Sequence, residues 1–236
     1  MVSTNMKRAT IVLAISVTSA FSLGNFVASA QNPEVEQKMM AIRQASAANK
    51  QKLAMYSWQE TETISIKGTV KDTKIYQVHM MDGQQQKALL DDAKAAAPSG
   101  GRMKQRVIAN KTEEYQEYGQ SIGALAKQYT TPDPELLMQA KQAGNVSFQP
   151  GTGTISLVIK NYLKPGDSMT MTLSEQTHAP LSVQINSYLS DPSDVVTISA
   201  QFAQLPDGTN HVTTTDIDGV SKQLTISEQN ANYQHM

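Results

Sequence analysis

Apolar and polar residues alternate through most of the second half of the chain, in short runs that end at turn-forming residues. Ile155, Leu157 and Ile159 share one face of the first such run. The apolar positions of the later runs are Met169, Met171 and Leu173; Leu181, Val183 and Ile185; and Val196, Ile198, Ala200 and Phe202. Turn signals every ~8–12 residues, with one apolar face per strand, are typical of antiparallel sheets. We therefore predict a β-meander from Val146 onward, with last strands near 211–215 and 220–227 joined at Asp218-Gly219.

A second group of alternating residues lies nearer the N-terminus. Tyr56, Trp58, Ile64 and Ile66 all occupy even positions, and Gly68 ends the run. Residues 75–80 form the next run, and Asp82-Gly83 is a pair that favours a tight hairpin turn into 84–90. Three antiparallel strands are predicted here.

Three helices are predicted from apolar residues at helical spacing. Residues 33–53 have one loosely apolar face, and 102–129 carry the strongest stripe in the chain, followed by a short helix over 135–143. The stripe consists of Tyr115, Tyr118, Ile122, Leu125 and Tyr129. A coiled-coil seam has the same spacing but needs more heptads, so packing of this helix on the sheet is favoured. Residues 91–101 are predicted to be a loop.

These elements together predict the fold class α+β. A large curved antiparallel β-sheet of about eight to ten strands, an open or half barrel, is expected to be covered by helices. Residues 31–236 are expected to form a single domain with a helical insertion near 102–143.

The first 30 residues have the order of a cleavable secretory signal. Lys7 and Arg8 precede an apolar core, and Ala28-Ser29-Ala30 has the small-residue pattern of a cleavage site. The alternative, a membrane anchor, would need about 20 strongly apolar residues. Cleavage removes two basic residues and takes the net charge from −1 to −3. We expect a periplasmic or secreted protein with no membrane span in the mature form, and a charge that does not favour nucleic acid.

Known catalytic patterns do not occur in the sequence. The chain has no cysteine and only four histidines, which are scattered. The carboxylate pairs Asp91-Asp92 and Glu113-Glu114 lie in polar runs expected to face water. We expect no enzyme activity, no cofactor and no metal site, although His79 and His211 could meet in space.

The order of elements resembles that of the outer-membrane lipoprotein carrier (LolA-like) superfamily. Residues 169–185, MTMTLSEQTHAPLSVQI, are similar to that superfamily's strand, turn and strand, and residues 199–212, SAQFAQLPDGTNHV, to its next strand pair. The resemblance implies an open β-barrel lined by apolar side chains and covered by helices, which holds acyl chains of lipoproteins or other lipids in the periplasm. The low aromatic content and the long helical insertion depart from this pattern.

On this interpretation the ligand is lipid or a lipoprotein acyl chain. The residues expected to line the concave face are Met169, Met171, Leu173, Val183, Ile185, Val196, Ile198 and Phe202, with Tyr115, Tyr118, Ile122 and Leu125 on the covering helix. If that helix fills the concavity, the same residues are ordinary core. The alternative function is a structural or protein-interaction module of the cell envelope, without ligand or catalysis, whose partner is an envelope protein.

Overall fold

The computed structural model describes residues 33–81, 84–94, 102–130 and 133–236. Side chains are described for 36–81, 84–93, 112–130, 133 and 135–236. The predicted signal over 1–30 and the Asp82-Gly83 turn lie outside the described residues.

Three helices and ten strands follow one another along the described part of the chain. Helix α1 spans Pro33–Leu53, α2 Arg102–Thr130 and α3 Pro134–Gln142. The strands are β1 (Tyr56–Ile66), β2 (Thr69–Met81), β3 (Gln84–Lys94), β4 (Val146–Gly151), β5 (Thr154–Lys160), β6 (Ser168–Ser174), β7 (Pro180–Tyr188), β8 (Val195–Gln204), β9 (Asn210–Gly219) and β10 (Leu224–His235).

All ten strands form one antiparallel sheet, in the order β3-β2-β1-β10-β9-β8-β7-β6-β5-β4. The sheet stays open, because β3 and β4 occupy its two edges and do not pair with each other. Strand β1 pairs with β10, and Ile64 lies directly opposite Ile226. The predicted α+β class and large open sheet are therefore confirmed.

Two predicted boundaries were wrong. Strand β3 continues through Lys94, where a loop was expected from 91, because the long strand β2 offers paired positions as far as Asp72. The last turn is a 3-10 turn at Val220–Lys222 rather than at Asp218-Gly219. Asp218 stays in the ladder because it lies opposite Thr225, whose hydroxyl donates to its carboxylate at 2.6 Å.

One face of the sheet is covered by helices. The aromatic and aliphatic stripe of α2 is buried against this face, as its spacing predicts: Ile122 is fully buried beside the sheet residues Ile198 and Ile217. Met39 and Ile42 bring α1 into the same cluster. A smaller cluster of Leu53, Trp58, Tyr76, Val78 and Met80 lies towards the β2 side.

Helix α2 passes very close to the sheet at Gly219. A Cβ at this position would lie only 2.7 Å from Tyr118 Oη and 2.8 Å from Tyr118 Cζ. The Tyr118 hydroxyl donates to Asp194 Oδ1 at 2.8 Å, and the Ser221 hydroxyl donates to the same oxygen at 2.6 Å. A glycine is needed here for space, since its φ of −92° suits any residue.

We expect Gly219→Ala to destabilise the protein by about 1–3 kcal/mol, because the added methyl group displaces the Tyr118 ring. In a Tyr118→Leu background the same substitution should cost much less. Urea denaturation of the four proteins in the double-mutant cycle measures the difference. An equal cost in both backgrounds would show that the Tyr118 ring is not the constraint.

Candidate functional site

A cavity of about 310 Å³ lies between α1 and the ends of several strands. Its apolar lining comes from Ile42 and Ala45 on α1, Met171 and Leu173 on β6, and Phe202 on β8. The alternation of the strands brings the sheet residues to this face, and the helical spacing of 42 and 45 turns the α1 residues towards them. The cavity is therefore apolar both on the side formed by the sheet and on the side formed by α1.

The polar part of the cavity lining includes a pair of hydrogen bonds that hold α1 on the sheet. The Asn49 side chain donates to the backbone oxygen of Asn210 at 2.8 Å and accepts from its backbone nitrogen at 2.7 Å. Lys52, His178 and Gln204 also contribute to the lining. An apolar interior with a few polar groups is typical of sites for small amphiphilic molecules.

The structure places only part of the sequence-predicted site in this cavity. Met171, Leu173 and Phe202 line it. The remaining strand residues are buried in the main core cluster: Met169, Val183, Ile185, Val196 and Ile198. Tyr118, Ile122 and Leu125 of α2 belong to the same cluster, and Tyr115 packs against it.

Three buried glutamates lie on the covered face of the sheet, beside the apolar core. Glu60, Glu62 and Glu228 are each at most 2% exposed. Two lysines accompany them: Lys87 pairs with Glu60 and lies 3.8 Å from Glu228, and Lys74 lies 3.5 Å from Glu62. Buried charges are rare unless they are paired, and so many in one place is unusual for a small domain.

Three of these charged residues, Lys74, Glu62 and Glu228, lie at one end of a row of directly opposed residues that crosses eight strands. The row, named here the transverse row, runs Lys74, Glu62, Glu228, Thr215, Ala200, Val183, Met171 and Leu157. Opposed residues share a face of the sheet, so the covered face changes from charged at β2 to apolar at β5. Met171, near the apolar end, lines the cavity.

Burial dominates the electrostatics of the charged end. It raises the pKa of both Glu60 and Glu62 above their ordinary value of 4.5, because the nearby lysines only partly offset the loss of hydration. Burial and the carboxylate of Glu62 also raise the pKa of Tyr76.

Sequence reasoning missed this cluster, although a signal was present. Glu60 and Glu62 occupy even positions between Trp58 and Ile64, so the alternation of β1 already places them on the buried face. The acidic pairs that the sequence did single out, Asp91-Asp92 and Glu113-Glu114, are exposed.

Within residues 33–81, 84–94, 102–130 and 133–236, no three His, Asp or Glu side chains are grouped so that they could hold a metal ion. His211 is buried with its ring 4.2 Å from that of Tyr233, and burial lowers the pKa of His211. None of the described helical segments is long and apolar enough to cross a membrane.

The raised pKa of Glu62 predicts how stability varies with pH. Above about pH 4.5 the unfolded chain loses the proton that the folded protein retains, so this group's contribution to stability falls as the pH rises. Glu62→Gln removes the titration. We therefore expect the free energy of unfolding of the wild-type protein, relative to this variant, to decrease from pH 4 to the raised pKa.

Chemical denaturation of both proteins at a series of pH values measures this difference. Glu117→Gln, at an exposed position of α2, is the matched control and should show no such trend. A difference that stays constant, or that grows in favour of the wild-type protein as the pH rises, would contradict the raised pKa.

No family model matches this chain, and no curated protein matches it. Solved structures similar to it include the following three. A DUF1329 family protein from Desulfovibrio piger is 10% identical, with 83% of this chain and 92% of that chain covered and a TM-score of 0.40. A putative outer membrane lipoprotein-sorting protein domain from Vibrio parahaemolyticus is 10% identical, with 82% and 90% covered and a TM-score of 0.41.

The third structure is a LolA superfamily protein from Nitrosomonas europaea, which is 6% identical, with 80% of this chain and 93% of that chain covered and a TM-score of 0.32. It carries the name of the superfamily that the order of elements in the sequence resembles.

Proposed function

We propose that this protein binds lipid or lipoprotein acyl chains on the apolar part of its half barrel, as an exported periplasmic protein without catalytic activity. The observation that supports this most directly is the cavity beneath α1, with Met171, Leu173 and Phe202 on one side and Ile42 and Ala45 on the other. These side chains offer no polar atom to a ligand, so they favour a hydrocarbon chain.

The size of the cavity limits the ligand. Its volume of about 310 Å³ is near the lower end of the roughly 300–1,000 Å³ found for ligand sites. Each methylene group that leaves water for such a site contributes about 0.8 kcal/mol. A single chain is therefore a better fit than a lipid with several chains, and Met171 supplies a flexible thioether that adapts to its shape.

The polar residues of the lining suit the other end of an amphiphile. Asn49, Lys52, His178 and Gln204 supply amide, ammonium and imidazole groups. With the hydrocarbon on Leu173 and Phe202, a polar head group could remain near these residues and in contact with water.

Native mass spectrometry with lipid extraction tests the proposal on the mature protein, Gln31 onward, purified from a periplasm. We expect a retained lipid or acyl species. A mass that corresponds to protein alone, together with no binding of a fluorescent fatty-acid probe, would overturn the proposal.

Filling the cavity should weaken binding of the probe. We expect Ala45→Trp, which places an indole ring in the cavity, to weaken binding of a fluorescent fatty acid by about tenfold or more, since several methylene contacts are lost. Titration by fluorescence anisotropy measures the affinity.

Ala47→Trp is the matched control, because Ala47 is exposed on the same helix and outside the cavity lining. It should bind the probe as the wild-type protein does, and thermal unfolding should show that both variants are folded. If both substitutions weaken binding equally, the probe does not occupy this cavity.

The alternative function, an interaction module, is favoured by one observation. Leu89 and Leu90 on the edge strand β3 are 52% and 54% exposed. An edge strand with exposed apolar side chains can add a strand from a partner. Pull-down from envelope extracts with wild-type protein and with a Leu89→Lys variant tests it, and a partner lost only in the variant would support this function.

A further inference from the structure

The lining of the cavity beneath α1 changes from apolar to polar along the helix. It begins at the buried Ile42 and ends at the exposed Lys52 in the last turn of α1. Since a helix rises about 1.5 Å per residue, these two positions lie roughly 15 Å apart along its axis. The helix side of the cavity therefore has an apolar end and a charged end.

The sheet side of the cavity changes in the same way. Along β6 and the turn that follows it, the lining passes from the buried Met171 and Leu173 to the half-buried His178. Along β8 it passes from the half-buried Phe202 to the exposed Gln204, the last residue of the strand. Each lining element thus becomes polar towards its C-terminal end.

These polar ends meet at one edge of the sheet. Strands β6 and β8 both pair antiparallel with β7, so they run in the same direction and end at the same edge. Asn49 bonds to Asn210, the first residue of β9, which brings the C-terminal part of α1 to this edge as well. Lys52, His178 and Gln204 therefore surround one polar opening of the cavity.

The side chains at this opening suit an anion. Among the described residues that line the cavity, none is aspartate or glutamate, whereas Lys52 contributes a positive charge. His178 supplies at least one N–H donor in either protonation state. This lining contrasts with the chain as a whole, whose net charge is −1.

An acidic neighbour of Lys52, Asp207, forms its hydrogen bonds with another residue. Its carboxylate accepts from the backbone nitrogen of Thr209 at 2.9 Å and from the Thr209 hydroxyl at 2.8 Å. These two bonds are the main reason why the pKa of Asp207 is lowered, and Lys52 makes a smaller contribution. Asp207 therefore does not take the place of an anion at the opening.

We propose that the ligand of this cavity is a single-chain amphiphile with an anionic head group, which Lys52 and His178 hold at the polar opening. This inference rests on the proposed function and adds to it the charge of the ligand. With the hydrocarbon on Met171 and Leu173, carboxylate or phosphate oxygens at the opening accept charge-assisted hydrogen bonds from the ammonium group. A cationic head group would instead be repelled by Lys52.

Displacement of the neutral fluorescent probe N-phenyl-1-naphthylamine by ligands with the same decyl chain tests the head group. Decanoate and decyl phosphate are anionic, decanol is neutral and decylammonium is cationic, and all are used below the concentration at which they form micelles. We expect both anions to bind about fivefold more tightly than decanol, and decylammonium to bind more weakly than decanol. Because the opening is exposed to water, added salt should reduce the advantage of the anions.

Matched variants locate the head group. Lys52→Met should reduce the ratio of decanoate to decanol affinity by about threefold. Lys50→Met is the control, because Lys50 is also in the last turn of α1 but outside the cavity lining, so the same net charge is lost elsewhere. His178→Gly should reduce the ratio as well, and glycine suits the φ of 56° at this position. Thermal unfolding verifies that each variant is folded.

The possible failures of this inference and of the proposed function are distinguishable. If decanol or decylammonium binds as tightly as the anions, the head-group inference is overturned, while binding of the decyl chain still supports the proposed function. Equal effects of Lys52→Met and Lys50→Met would overturn the inference too. If none of the four decyl ligands binds to the wild-type protein, the proposed function fails and the inference fails with it.

Discussion

The pairing of β1 with β10 is the contact on which the arrangement of the covered face depends. It joins a strand near the start of the chain to the last strand, and it places Glu62 opposite Glu228 and Ile64 opposite Ile226. Without it, the three N-terminal strands and the seven-stranded meander would be separate sheets with separate faces. Because register has a period of two, a slip of one residue would turn the whole buried set outward. The transverse row therefore exists only in this register.

The two ends of the row place different demands on the protein. At the apolar end, Val183, Met171 and Leu157 are buried. Burial of apolar surface stabilises the folded protein by about 25 cal/mol per Å². At the charged end, burial costs free energy that ion pairs recover only in part. The asymmetry extends to the helices, since Asn49 holds α1 over the apolar end by two hydrogen bonds to Asn210. Each end therefore contributes differently to the stability of the sheet.

Most of the fold could be predicted from the sequence because it follows from local patterns. Alternation, turn residues and the stripe from Tyr115 to Tyr129 indicate strands and helices without knowledge of the tertiary structure. The β1–β10 pairing could not be predicted in this way, because the local sequence of a strand does not specify which distant strand it pairs with. Glu60 and Glu62 could have been assigned to the buried face from their even positions, but the lysines that accompany them come from β2 and β3. The cavity also depends on where α1 packs on the sheet. The apolar face of α1 is too weak for its position to be predicted from the sequence.

The charged end is difficult to explain by stability alone. Replacement of buried ion pairs by well-packed apolar residues is often neutral or stabilising by about 1–4 kcal/mol. The strand positions of Glu60, Glu62 and Glu228 would suit valine or isoleucine, as the neighbouring Ile64 and Ile226 show. The hydroxyls of Tyr76 and Thr215 add further cost, because each is buried without a partner. A sheet that served only to support a hydrocarbon site would be more stable with an apolar row throughout, so the charges at this end lower the stability of the sheet.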